Sequence, residues 1–175
     1  VTSGQAVVSG ALTELAAGMT DSAALTLGLS SSGLAGPRSG SAKVQFFSNG
    51  AGTTELPRTA VGAEQEVTVS GSIYRVAQPI WSAGSVDFGN VRLGAVGLTR
   101  DVVVRNGAAA DGYSDLLSLV KGTVSGGSDA VSIPDALDAT LEGTVRIGFA
   151  GPAAVAGRIT GSVVFDQVSK GRAGT

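Results

Sequence analysis

The densest set of oxygen donors in the chain is Asp111-Gly112-Tyr113-Ser114-Asp115, with Asn106 just upstream. Two carboxylates, a hydroxyl and a side-chain amide are hard ligands of the kind Ca2+ takes, so Asp111 and Asp115 are the candidate metal ligands. The DxDxDG spacing of a calcium loop is absent. The plainer reading is a turn, with Asp111-Gly112 making the bend and Asp115 capping the next segment. A second acidic set, Asp135, Asp138 and Glu142, lies in PDALDATLEG. Paired acids of this kind hydrolyse glycosides, but no aromatic cleft residues surround them in the sequence, and the segment reads as a solvated loop. Tyr74 and Arg75 could stack on or bind a partner, against the plainer reading of edge-strand positions. The single tryptophan, Trp81, reads either as an apolar plug between two packed domains or as a platform for stacking a sugar.

Other chemistry lacks its residues. There is no histidine and no cysteine, which removes Ser-His-Asp and Cys-His catalysis, haem and the usual zinc sites. Ser39 and Ser114 do not stand in G-x-S-x-G elbows. Gly33–Gly40 is glycine-rich but lacks the Lys-Ser/Thr ending of a phosphate-binding loop. No catalytic residue and no cofactor other than the calcium candidate is expected. With 12 basic against 14 acidic residues and no basic cluster, nucleic-acid binding is not expected. No apolar run reaches the roughly 18 residues of a membrane-spanning helix, and the N-terminus does not read as a secretory signal. Without cysteine no disulfide framework is available, so the core must hold the fold.

The elements that would position these residues are strands. Apolar residues alternate at Leu25, Leu27 and Leu29, at Val44 and Phe46, and at Val67, Val69 and Ile73. In TRDVVVRN, Val102 and Val104 oppose Val103; Val145, Ile147 and Phe149 alternate again, as do Ile159, Val163 and Phe165. Period-two patterning rich in β-branched residues marks half-buried strands. Turn signals separate them: Gly36-Pro37, Asn49-Gly50, Asn106-Gly107, Gly126-Gly127 and Gly151-Pro152. The spacing predicts an all-β chain of antiparallel sandwiches. ALTELAAGM (11–19) and SDLLSLV (114–120) are each assigned a helical turn. A boundary is placed at Pro79 to Gly84, dividing the chain into domains 1–79 and 80–175, with SVDFGNVRLG (85–94) opening a new strand.

One phrase occurs twice. AGPRSGS at 35–41 returns as AGRITGS at 156–162, an offset of 121 that holds from Gly36/Gly157 to Gly50/Gly171. Leu27-Gly28-Leu29 matches Ile147-Gly148-Phe149 at offset 120, and Ala51-Gly52-Thr53 matches Ala173-Gly174-Thr175 at 122. Such a period suits a tandem array of whole domains of roughly 100–120 residues.

SVDFGNVRLG, with the valine-rich strand that runs into VRNGAAADGYSDLL, resembles the opening of abnormal-spindle/Hydin-like immunoglobulin domains. Together with AGPRSGSAKVQFFSNGAGT and VTVSGSIYRVAQP, it resembles the tandem domains of bacterial choice-of-anchor D and autotransporter-like surface proteins. The resemblance implies tandem immunoglobulin-like antiparallel β-sandwiches, export by a signal outside this sequence, and a stalk or adhesin-like role without catalysis. The expected partners are neighbouring repeats. Residues 1–79 then correspond to the later part of one repeat and 80–175 to the opening and middle of the next. A sandwich lacking a strand exposes unpaired backbone groups. Truncation of a longer protein is the plainer source of this phase. The alternative is self-association, with residues 66–76 added to a neighbour's sheet by β-augmentation. Three roles stand as expectations: a structural repeat module, a self-assembling filament or matrix subunit, and a glycan- or protein-binding adhesin module using Trp81, Tyr74 or Arg75.

Overall fold

The structure, a computed structural model, describes residues 1–149 and 156–172. Gly151-Pro152 and Ala173–Thr175 lie outside the described residues. The described chain is all-β and contains no helix. It divides into two units, Val1–Ile73 and Tyr74–Thr175. The expected junction at Pro79 falls inside the second unit, where Pro79 opens an edge strand, a place that asks no ladder hydrogen bond of its missing N–H.

The first unit holds β1 (Thr2–Gly4), β2 (Ala6–Gly10), β3 (Leu25–Leu29), β4 (Gly36–Ser48) and β5 (Thr59–Ile73). β1, β4 and β5 form one antiparallel sheet in that order; β2 and β3 form a two-stranded ladder. Its buried apolar residues are small, Ala6 and Ala42, while Phe46, Phe47, Val61 and Val67 remain about half exposed. An open apolar groove of about 440 Å³ runs between Val8, Leu25 and Leu27 on one side and Val44, Phe46 and Val67 on the other.

The second unit holds β6 (Pro79–Trp81), β7 (Thr99–Asn106), β8 (Leu116–Ser125), β9 (Ser128–Ser132), β10 (Glu142–Phe149) and β11 (Ser162–Lys170). One sheet runs β6-β7-β10-β9 and the other pairs β11 with β8, all antiparallel. Val104, Val145, Leu117, Leu119 and Leu137 form its core, with Trp81, Ile147 and Phe165 packed against them. The alternation read in TRDVVVRN is realised: Val102 and Val104 point inward and Val103 outward.

Several local expectations are corrected. Residues 11–19 form no helix. Residues 116–120 are strand, because Leu117 and Leu119 are buried on alternate positions, a period of two rather than 3.6. SVDFGNVRLG forms no strand: Gly89 and Gly94 take positive φ, and the Asp87 carboxylate accepts the Gly89 N–H at 2.8 Å, which bends the chain. Gly36-Pro37 is not a turn but the start of β4, paired with Ile73 and Ser72. Ile159 precedes β11 rather than joining it.

The two units share a pairing scheme. Ser3 lies opposite Ser41 and Ser125 opposite Ser162, and in each pair the hydroxyls meet at 2.9 Å. Gly4 (φ 61) and Gly126 (φ 63) then turn the chain, and in each a Cβ would strike the backbone of the facing strand, Ser39-Gly40 or Thr160-Gly161. After the turn, Ala6 pairs with Leu29 and Ser128 with Phe149. β1, β2, β3 and β4 thus stand to one another as the end of β8, β9, β10 and β11 do.

Two substitutions test this account of the second unit. Leu117→Ala removes a side chain that is 1% exposed and lowers stability by about 2–5 kcal/mol. Gly126→Ala, forced into a left-handed conformation against a facing carbonyl, costs at least about 1 kcal/mol. Urea unfolding followed by the fluorescence of Trp81, the sole tryptophan, reads both.

Candidate interaction site

The expected site residues gather where β7 ends. Asn106 closes that strand and is fully buried. Its side-chain oxygen accepts the Gln78 N–H at 3.0 Å and the Ala108 N–H at 3.2 Å. Its side-chain nitrogen donates to the Asp115 carbonyl at 3.0 Å and the Leu137 carbonyl at 3.2 Å. The residue noted from sequence as a calcium donor is a hub for four backbone segments.

Arg75 lies just beyond β5 and bridges to Ser114: its N–H donates to the Tyr113 carbonyl at 3.0 Å, and its own carbonyl accepts the Asp115 N–H at 3.0 Å. Its guanidinium reaches both Asp111 oxygens at 2.7 Å and the Ser114 hydroxyl at 3.1 Å. Ser114, fully buried, donates to the Ala109 carbonyl at 2.7 Å. The Arg75 hydrogen bond, helped by the Tyr113 N–H, holds the Asp111 carboxyl below its ordinary value of 3.8. Asp115 accepts the Ser169 hydroxyl at 2.8 Å, and that hydroxyl accepts the Ala77 N–H at 2.8 Å. Tyr74 meets Tyr113 with ring centroids 5.7 Å apart.

Both Asp111 oxygens face a guanidinium, whose charge repels a second cation, and Asp115 is turned toward Ser169. Among the described residues no group of three or more acidic side chains converges on one point. Of the second acidic set, Asp138 pairs with Arg172 and accepts the Ala139 N–H at 2.6 Å. Ser114, with its proton on a backbone carbonyl and a cation beside it, is arranged as a structural hydroxyl.

Trp81 stands apart from this corner. It stacks obliquely on Phe165 at 5.4 Å and 31°. The two rings, with Val102, Ile147 and Val163, line a groove of about 500 Å³ that opens from the core of the second unit. Sequence reasoning named Trp81 but missed Phe165, Ser169 and Gln78. Phe165 is marked only as an apolar position in an alternating run, and nothing local marks Ser169 or Gln78, because the partners of all three lie far along the chain.

The corner yields two expectations. Asp111 adds stability that is fully present above its ordinary value of 3.8 and is lost as pH falls through its lower folded value. An NMR titration of its carboxyl should place the midpoint below 3.8, and Arg75→Gln should move it upward. Asn106→Ala leaves the Gln78 and Ala108 N–H groups and the Asp115 carbonyl without this partner, while the Leu137 carbonyl keeps the Leu117 N–H, and equilibrium unfolding should show a loss of about 3 kcal/mol or more.

No family model matches the chain, and neither does any curated protein or solved structure.

Proposed function

We propose that the chain is a non-catalytic structural repeat module, built of tandem immunoglobulin-like β-sandwiches, that serves as a spacer in a secreted or cell-surface bacterial protein. The observation that carries this reading is the pairing scheme common to both units. The same Ser-Ser contact, the same left-handed glycine turn and the same order of pairings recur within one residue of the offset of the repeated phrase. Duplicated domains laid end to end extend a chain without adding chemistry. The polar corner agrees with this, since its charged and hydroxyl groups tie backbone segments together. The secreted setting and the immunoglobulin-like topology rest on the sequence resemblance.

Small-angle scattering of one, two and three fused copies tests the reading. A spacer lengthens by a constant increment per copy. Copies that collapse into one compact particle, with the radius of gyration of a globule of that length, would overturn it.

A further inference from the structure

The chain contains two Asn-Gly pairs, Asn49-Gly50 and Asn106-Gly107. In such a pair the glycine nitrogen can reach the asparagine amide carbon, because no Cβ stands beside it. The fold holds the two pairs in opposite ways. Asn106 is fully buried, its side-chain oxygen accepts two N–H groups and its side-chain nitrogen donates to two carbonyls. The Gly107 N–H is engaged as well, on the Gln78 carbonyl at 2.6 Å. Both reacting groups are tied, so attack requires the corner to open first.

Asn49 is exposed, in the connection between β4 and β5. Its side-chain oxygen accepts the Ala51 N–H at 3.2 Å, an Asx turn that folds the amide back over the Gly50 peptide unit. That hydrogen bond draws electron density from the amide carbon and would stabilise the oxyanion formed on attack. Among the described residues nothing accepts the Gly50 N–H. Glycine is also required here for space: a Cβ at this position would lie 2.5 Å from the Thr54 hydroxyl and 2.9 Å from the Leu56 carbonyl oxygen. The Gly50 carbonyl accepts the N–H groups of Thr53, Thr54 and Glu55 at 3.2, 3.0 and 2.9 Å, so this one peptide unit organises the loop. Two related sites are blocked. Asp111-Gly112 makes a similar turn, but Arg75 holds its carboxylate charged, a form that resists a nucleophile. Asn90 is followed by Val91, whose branched side chain shields the nitrogen.

We propose that Asn49 is a modification site at which the folded chain deamidates, while the fold preserves Asn106. The Gly50 nitrogen gives its proton to hydroxide and bonds to Asn49 Cγ. The Cγ–Nδ2 bond breaks, and ammonia leaves with a proton taken from water, which restores the hydroxide and closes a succinimide ring. Water then opens the ring at either carbonyl. Opening at Cγ leaves aspartate. Opening at the main-chain carbon leaves isoaspartate, with the chain running through Cβ and Cγ. The net change is water taken up and ammonia released, and either product adds a negative charge. Isoaspartate also inserts a carbon into the main chain before Gly50, which pulls the Gly50 carbonyl away from the three N–H groups it serves.

The test incubates the whole chain in mildly alkaline buffer, folded and in concentrated urea, and maps both asparagines by mass spectrometry of peptides. Asn49 in the folded chain should react within about tenfold of its rate in urea, and Asn106 should react about a hundredfold or more slowly than in urea. Asn49→Gln, whose amide must close a larger ring, should release no ammonia at this position. In the isolated isoaspartate product, amide exchange at Thr53, Thr54 and Glu55 should quicken about tenfold. Asn49→Asp, which carries the charge without the extra carbon, should leave that exchange unchanged. An Asn49 that survives in the folded chain while reacting in urea overturns the site. An Asn106 that reacts as fast folded as unfolded overturns the protection, and unchanged exchange in the isoaspartate product overturns the effect on the loop.

Discussion

A buried backbone N–H or C=O must find a hydrogen-bond partner, and where β7 ends the strand ladders no longer supply one. The chain leaves the sheet there, and the N–H groups of Gln78 and Ala108 and the carbonyl of Asp115 converge without a ladder partner, beside the Leu137 carbonyl, which also accepts the Leu117 N–H. Asn106 meets all four with one amide, which has an acceptor on one side and two donors on the other. Its own backbone is satisfied as well, with its N–H on the Leu141 carbonyl at 3.1 Å and its carbonyl accepting from Thr140 at 2.7 Å. Leu137, held in part by this amide, exchanges two further bonds with Leu117 at 2.7 and 2.8 Å. Leu117 then packs on Val104 and Val145. The core of the second unit is thus registered by a polar contact at its end.

The first unit solves the same problem with less apolar material. Its ladders are long, with β5 running fifteen residues, but among the described residues its only buried apolar side chains are two alanines. Backbone pairing sets its register, while its larger side chains face an open groove. Apolar burial contributes roughly 25 cal/mol per Å², so this unit draws much less from its core than the second does. Among the described residues β5 is an edge strand with half-exposed valines, the kind natural proteins protect. Glu64 and Glu66 place charge on it, which opposes indiscriminate pairing.

Charge plays a supporting part elsewhere. Arg146 forms a two-pronged pair with Asp101 at 2.8 and 3.0 Å across β10 and β7, and Lys121 meets Asp129 at 3.0 Å. The hydrogen bond from Arg146 holds the Asp101 carboxyl below its ordinary value, and that from Lys121 does the same for Asp129. These groups are half exposed, so solvent screens them and each pair adds little stability. They act on register: each fixes which residues of adjacent segments face one another. The Arg75–Asp111 pair does the same for the corner around Asn106.

The sequence by itself determined the all-β character, most strand positions and the repeated phrase. All three are written in local patterns, alternation and glycine placement, that need no partner to be read. TRDVVVRN became β7 residue for residue, and Gly126-Gly127 became a two-residue hairpin turn. Short segments misled where two local signals competed: SDLLSLV has helix-forming leucines, yet pairing with β11 imposed a strand. Asp111-Gly112 was legible as a bend, which the Tyr113 N–H donating to the Asp111 carboxylate and the positive φ of Gly112 realise, but the long-range partners of Asp111, Asp115 and Asn106 were not. Only the tertiary structure decided that Arg75 claims Asp111, that Ser169 claims Asp115, and that Trp81 lies on Phe165. Those partners stand tens of residues away, and distance along the chain carries no signal of contact until strand pairing closes it.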